Sequence, residues 1–448
     1  MRTPIFQICL LLSMLLLVGC GGSTAAPLPP TAATSSPATT LAQSAAPLSV
    51  YIGRAAGTVS ALNAADGTVR WRTQLAQAST PTVVALDEGV VYASANDPGS
   101  APSRMAFYAF RASDGTVLWH QMLSGANVAA VSQGVVYLAF GRESGASSPP
   151  NKIEALRAQD GSEVWHTSLE GTGPIAVRVA TGTLYVTSFS SLLPGPGYYY
   201  AATHLYVLNA STGAVRWHRQ LSRTNVVAAV TTGQVYLLDT GTDVACEPRM
   251  LHVLDASSGA ELWQREESFL ELIGVEQALA FVEAVPEGCT ASRPFEQGVL
   301  AALHTPDGSS AWQSTIPFGS GAIAHGGVLY VPSEDGDLAA YRAGDGFQLW
   351  HAQGEGGGID LFDGALYTSL EGRGLDALSP TTGAVEWRYL TPDGVAVLGV
   401  ANDIFYGVVS HLTSGALEDS ALVALRADTG KLLWRVEIGM MEGTPLVG

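Results

Sequence analysis

Nine times in this chain a glycine is followed four residues later by a tryptophan, and those nine tryptophans are all that the protein has. The pairs are Gly67/Trp71, Gly115/Trp119, Gly161/Trp165, Gly213/Trp217, Gly259/Trp263, Gly308/Trp312, Gly346/Trp350, Gly383/Trp387 and Gly430/Trp434. Each closes the same run: a small or β-branched residue, a large apolar one, a few polar or small residues, then Asp-Gly, Thr-Gly or Ser-Gly. ALNAADGTVRW, VLNASTGAVRW and ALRADTGKLLW are three copies. Self-similarity at about 37 to 52 residues marks a repeat architecture, and it constrains the fold before any other feature does.

One unit reads as four short strands. In the fifth copy these are Val226–Val230 (A), Gln234–Leu238 (B), Met250–Asp255 (C) and Glu261–Arg265 (D), with Ala256–Gly259 turning between C and D. Alternating β-branched and aromatic residues between Gly, Asn, Asp and Ser clusters give the strands. The glycine that ends the C–D turn supplies the positive φ of a tight hairpin. No long helical pattern follows residue 19. Four-stranded units of this length, arranged radially, make a β-propeller. The expected fold is therefore all-β, a single propeller with nine repeats and eight or nine blades, nine fitting better. The first copy starts at strand B (Ser49–Ile52), while the C-terminus ends in a lone apolar strand, Thr444–Val447. That pattern predicts closure in which the last residues supply strand A of the first blade.

The Ala-x-Asp-x-x-Thr-Gly-x-x-x-Trp grammar resembles the tryptophan-docking motif of the PQQ-like, quinoprotein-type propeller superfamily, over residues 48–448. The chain departs at one point. The family's Asp is kept only as Asp255 and becomes Asn63, Arg111, Arg157, Asn209, His304, Arg342, Ser379 or Arg426. That position is expected to hold turn geometry here, not a shared binding chemistry. The resemblance implies docking indoles between blades, with Trp71, Trp119, Trp165, Trp217, Trp263, Trp312, Trp350, Trp387 and Trp434 as wedges. It also raises PQQ, held beside calcium, as a cofactor. The dehydrogenases of the superfamily cover the quinone with adjacent cysteines and stack it on a tryptophan, and this chain has no adjacent Cys pair. No cofactor is expected on the main reading, and PQQ with Ca belongs to the alternative.

Composition limits the partners. The formal net charge is −18, the only lysines are Lys152 and Lys431, and no run of basic residues exists, which argues against nucleic acid. Residues 1–19 read as a signal peptide: Arg2, then an apolar run too short to span a membrane, then Leu17-Val18-Gly19-Cys20. Leu-x-Gly-Cys resembles a bacterial lipobox, with Cys20 the lipidated first residue; an ordinary secretory peptide is the alternative. Residues 20–47, rich in Ala, Ser, Thr and Pro, read as a disordered tether. The remaining cysteines, Cys246 and Cys289, fall in corresponding B–C loops of adjacent copies, and in an exported chain they are expected to form a disulfide.

The B–C connections vary while the C–D turns do not. Copies 1, 7 and 8 have tight hairpins, whereas the others carry insertions: Asn96–Arg104, Gly141–Lys152, Ser188–Thr203, Asp239–Arg249, Val282–Gln297 and Ser410–Ser420. Long loops on a rigid scaffold are where binding concentrates. The fourth insertion carries Tyr198, Tyr199 and Tyr200 after a Pro/Gly stem, large amphipathic contact area at low entropy cost. These and Arg104 are the candidate binding residues. No catalytic or metal residue is expected: haem, zinc-protease and esterase motifs are absent from the sequence. His120, His166, His218 and His351 directly follow a repeat tryptophan and read as outward rim residues. Glu334-Asp335-Gly336-Asp337 resembles a metal loop but occupies a B–C hairpin.

Size, lipobox and repeat type together resemble the propeller lipoproteins of outer-membrane β-barrel assembly machinery. The expectation is a monomeric, lipid-anchored, extracytoplasmic scaffold that shows its loop-rich face to an envelope or cell-surface protein. A PQQ-dependent enzyme and a carbohydrate or small-ligand module are the alternatives.

Overall fold

A glycine at the end of each C–D turn closes it through a backbone bond to the residue four before, from Gly67 N–H to Asn63 O at 2.8 Å through Gly430 N–H to Arg426 O at 2.8 Å. The accepting residue is Asn, Arg, Asp, His or Ser, so this closure is a property of the backbone. Where it is Asn63, Asn209 or Asp255, the side-chain oxygen also accepts backbone N–H groups of the turn. The turn-geometry reading of that position is what the coordinates show.

The computed structural model describes residues 48–448 except 55–56, 76–80, 98–103, 125, 142–150, 172, 174, 193–199, 240–248, 268, 285–296, 318–320, 334, 371, 414–415 and 440–442. Its elements are nine antiparallel four-stranded sheets, each strand paired with its sequence neighbour except at the closure. The fifth blade has strands A Asn225–Val230, B Gln234–Asp239, C Arg249–Asp255 and D Glu261–Glu267, each within two residues of the expected bounds. In blade 1 the order is Val69–Gln74, Thr58–Asn63, Ser49–Arg54, then Leu446–Val447. Val50 faces Val447 and Tyr51 faces Leu446, and Ser49 and Gly448 exchange backbone bonds of 2.8 and 3.0 Å. The A strand of every blade touches the A strand of the next, all the way round the wheel. The protein is a nine-bladed propeller closed by its C-terminal strand, so the eight-blade option falls.

Nine clusters of buried apolar residues are described, and each is shared by two adjacent blades. Val50, Ile52 and Leu62 of blade 1, for example, pack with Tyr406, Leu422 and Trp434 of blade 9. The core is thus a ring of seams, and the tryptophans sit in them. Every indole N–H donates to a carbonyl of the following blade, from Trp71 to Ala112 O at 2.8 Å through Trp387 to Ala427 O at 2.8 Å, and Trp434 closes the ring on Ala64 O at 3.0 Å. An indole buries about 150–250 Å², so at ~25 cal/mol/Å² each contributes up to about 4–6 kcal/mol.

Two features set the indole's aim. Opposite every Trp the C–D pairing skips one residue of strand D, as where Ala61 faces Trp71 but Leu62 faces Val69. Such a bulge re-aims the side chain beside it. The ring then lies on the turn glycine of the next blade. A Cβ on Gly308 (φ +70°) would stand 2.5 Å from Trp263 Cε3, and one on Gly115 would stand 2.4 Å from Trp71 Cε3. The Gly–Trp repeat is therefore two halves of different joints: each glycine seats the tryptophan of the blade before its own.

Candidate functional site

In each antiparallel four-stranded sheet the strand ends that lead into the B–C connections and the D–A links share one edge of the blade, and those at the A–B and C–D turns share the other. The B–C tips of blades 2 to 6, among them Tyr198, Tyr199, Cys246 and Cys289, lie outside the described residues, as do Cys20, the leader and the tether. Arg104 opens strand C of blade 2 opposite Asp97, and Tyr200 opens strand C of blade 4 opposite Leu192.

The stems are informative where the tips are not. The insertion expected as a loop over Ser188–Thr203 is largely strand: B runs Thr183–Leu192 and C runs Tyr200–Asn209, paired through Ser188/His204, Phe189/Thr203 and Ser190/Ala202. Blade 9 does the same with Ile404–Thr413 and Ala416–Arg426. The blade 4 hairpin keeps one register throughout, whereas the blade 9 hairpin shifts register between His411 and Leu412. The blade 4 hairpin is also fixed at its foot on both sides. Asn151 of blade 3 donates to Ser188 Oγ at 2.8 Å, and Ser188 donates to Glu170 O at 2.7 Å. On the other side Thr203 donates to Arg223 O at 2.9 Å and accepts Asn225 N–H at 2.8 Å. Ser188, Thr203 and Asn151 are all fully buried. Buried polar groups with matched partners make such a foot rigid.

The D–A links put an acidic side chain against the next blade at two seams. Glu355 follows Trp350 by five residues; its carboxylate accepts Arg388 Nη2 at 2.8 Å and Arg373 Nη2 at 3.3 Å, and the same arginines reach Asp376 at 3.0 and 3.4 Å. Burial first, and then Glu355, push the Asp376 carboxyl up to about 6 against the pull of the two arginines. Glu170 follows Trp165 by the same five residues, and at its seam His218 stands at the register position of Arg388, with His204 two residues before Tyr206 on the neighbouring strand. Glu170 Oε2 lies 3.6 Å from Nδ1 of buried His204, which is 3.4 Å from Nε2 of His218. His218 stacks on Tyr206 with centroids 4.1 Å apart, and the Tyr206 hydroxyl accepts Glu170 N–H at 2.9 Å. Partial burial holds the His218 imidazole below its usual value; Glu170 opposes that and His204 adds to it.

His204 was not singled out in the sequence and His218 only as a rim residue. All four histidines after tryptophan are exposed as expected, but their neighbours differ. His166 meets Glu163 at 2.6 Å, His351 meets Asp337 at 2.9 Å, and His120 stacks on Tyr108. His218 alone of the four meets a second histidine among the described residues. The Asp335–Asp337 stretch forms a plain hairpin turn, with Gly336 N–H on Ser333 O at 3.0 Å and Asp337 engaged by His351 and Gly354.

The quinone implied by the superfamily does not fit the residues present. It needs an indole as a stacking floor, and each of the nine indoles is bonded in a seam and pressed on a glycine. The sequence holds no adjacent cysteines to cover the other side.

The family model described as outer membrane protein assembly factor BamB matches residues 43–169, 149–285 and 296–446. A search of curated proteins returns no match. Among solved structures, BamB from Moraxella catarrhalis is similar at 15% identity and TM-score 0.45, covering 74% of this chain and 96% of that one. The computationally designed Ika8 protein is similar at 10% identity and TM-score 0.48, covering 71% and 90%. Quinohemoprotein alcohol dehydrogenase from Comamonas testosteroni is similar at 17% identity and TM-score 0.41, covering 72% and 68%.

Proposed function

We propose that this chain, which belongs to the family of the outer membrane protein assembly factor BamB, is a lipid-anchored extracytoplasmic scaffold that binds a protein partner of the cell envelope through its B–C face. The observation that carries the reading is the asymmetry of the wheel. One face consists of short, uniform turns, while the other raises strand-built hairpins at blades 4 and 9 from a rigid ring. A strand-built arm held at its foot by buried hydrogen bonds presents a fixed surface, which lowers the ordering cost of association. The three tyrosines at 198–200 then supply contact area that loses little rotamer freedom on binding. On this reading Cys20 carries the lipid, residues 20–47 give reach, the Cys246–Cys289 disulfide ties two neighbouring tips, and no cofactor takes part.

The test is cross-linking and pull-down from detergent-solubilised envelope with the full chain, beside a variant in which residues 191–201 are replaced by Asn-Gly. A defined partner recovered with the full chain and lost with the variant supports the reading. Equal recovery with both, or dye reduction with alcohols after PQQ and Ca²⁺ are added, overturns it.

A further inference from the structure

We propose that Glu170, His204 and His218 form a binding site for a divalent transition metal of the zinc type, set in the seam between blades 3 and 4 on the B–C face. The three side chains come from the D–A link, strand C (Tyr200–Asn209) and strand D (Val215–Ser222). Their donor atoms all lie within 4.8 Å of one another. Zinc bonds of about 2.0–2.1 Å to nitrogen and oxygen place tetrahedral donors about 3.3–3.4 Å apart. The 3.4 Å between the two ring nitrogens and the 3.6 Å from His204 Nδ1 to the carboxylate come close to two edges of that tetrahedron, and the third edge, Glu170 to His218, lies within 4.8 Å.

The chemistry of the donors selects the ion. Two imidazoles with one carboxylate suit zinc, cobalt, nickel or copper, whereas calcium and magnesium take sets made of oxygen. The seam that holds Glu355 serves as an internal comparison. There the link carboxylate, Glu355, meets two guanidinium groups that also hold a second carboxylate, so its charges are matched within the protein. Glu170 meets no lysine or arginine among the described residues; His204 faces it, and His218 stands at the register position that Arg388 holds in the other seam.

The backbone around the donors is already held. Glu170 has its N–H on the Tyr206 hydroxyl at 2.9 Å and its carbonyl on the Ser188 hydroxyl at 2.7 Å. The next residue, Gly171, has a φ of +114°, and a Cβ there would stand 2.4 Å from Ser188 Oγ, so the link is seated by a residue only glycine can be. Supporting hydrogen bonds of this kind fix ligand orientation and affinity. His204 is buried, so it provides the fixed nitrogen. His218 is exposed, and its ring lies 17° from parallel with that of His204, so closing on a shared ion requires it to turn off Tyr206. Three ligands from the chain leave one coordination position for water or a donor from outside, as in an open zinc site.

The test uses the full chain without an affinity tag, stripped with EDTA, titrated with Zn²⁺ against a chromogenic chelator and with Co²⁺ followed by its visible d–d bands. One equivalent should bind at micromolar concentration or below, with bands of tetrahedral intensity. Glu170→Gln and His218→Ala, both at exposed positions, should each weaken binding by more than the roughly 10–100-fold that loss of an outer supporting partner costs. Tyr206→Phe should fall within that range, and His166→Ala should leave binding unchanged. If His204→Ala fails to fold, the two exposed variants decide the matter alone. Absence of binding at micromolar ion, or equal loss in His166→Ala and His218→Ala, overturns the proposal.

Discussion

At the scale of single residues the wheel is held by one joint made nine times. Trp263 donates to Thr305 O at 2.7 Å and rests on Gly308. Trp263→Ala is expected to cost about 3–5 kcal/mol in urea unfolding. Gly308→Ala should cost more than about 1–2 kcal/mol, the penalty of the left-handed conformation alone, because the new methyl also meets the ring. In the double variant that clash is gone, so the two costs should sum to roughly 0.5–3 kcal/mol more than the pair measured together. Simple additivity would mean that the glycine is needed only for its turn. A second residue effect concerns pH. Asp360, on the innermost strand of blade 8 (Gly358–Phe362), has its carboxyl pushed up to about 6 by burial. Its folded value thus exceeds the unfolded value of about 3.9, and the native state binds the proton more tightly. Stability from this group is full below about pH 4 and is lost as pH rises through 6. Asp360→Asn should flatten that portion of the curve of urea midpoint against pH; an unchanged slope would assign it to other groups.

At the scale of elements, the C–D hairpins were legible because their signal is local. An apolar pair, a polar turn and a glycine at fixed spacing specify strand, turn and strand with no help from distant residues. The B–C insertions were not legible to the same degree. Ser188–Thr203 carries serines, prolines and glycines that read as loop, yet neighbours from blades 3 and 5 complete the bonding of Ser188 and Thr203, and the strands run on. The consequence is a boundary. Replacing residues 191–201 with Asn-Gly between the paired Ser190 and Ala202 should leave the melting point within the change expected of about ±0.5 kcal/mol. Removing Ser188–Thr203 entirely should destabilise by several kcal/mol, since it deletes buried hydrogen-bonded groups on which two links depend. Equal melting points for the two deletions would show that the foot bears no load.

At the scale of the whole molecule, the chain is a ring whose last strand belongs to its first blade. Ending the chain at Gly443 removes the pairing of Tyr51 with Leu446 and the two Ser49–Gly448 bonds. At roughly 0.5–1.5 kcal/mol per bond, plus the contact of Leu446 with the seam of blades 1 and 2, the loss should be about 2–4 kcal/mol. It should appear as a lower melting point and a broader transition, because an open ring frays from the unclosed seam. A truncated chain that melts as sharply and as high as the intact one would show that blade 1 stands without its fourth strand.

The amino-acid sequence alone was sufficient for repeat, blade and docking indole, because each depends on residues within about a dozen positions of one another and recurs nine times. Closure was legible for the same reason: a missing strand at one end matched a spare strand at the other. Two things lay beyond it. The seating of each tryptophan on its neighbour's glycine joins residues some forty positions apart, as with Trp263 and Gly308. The meeting of Glu170, His204 and His218 joins three separate segments of two blades. Spacing along a chain records contacts that one hairpin makes with itself, whereas a seam is made only when two blades are brought side by side.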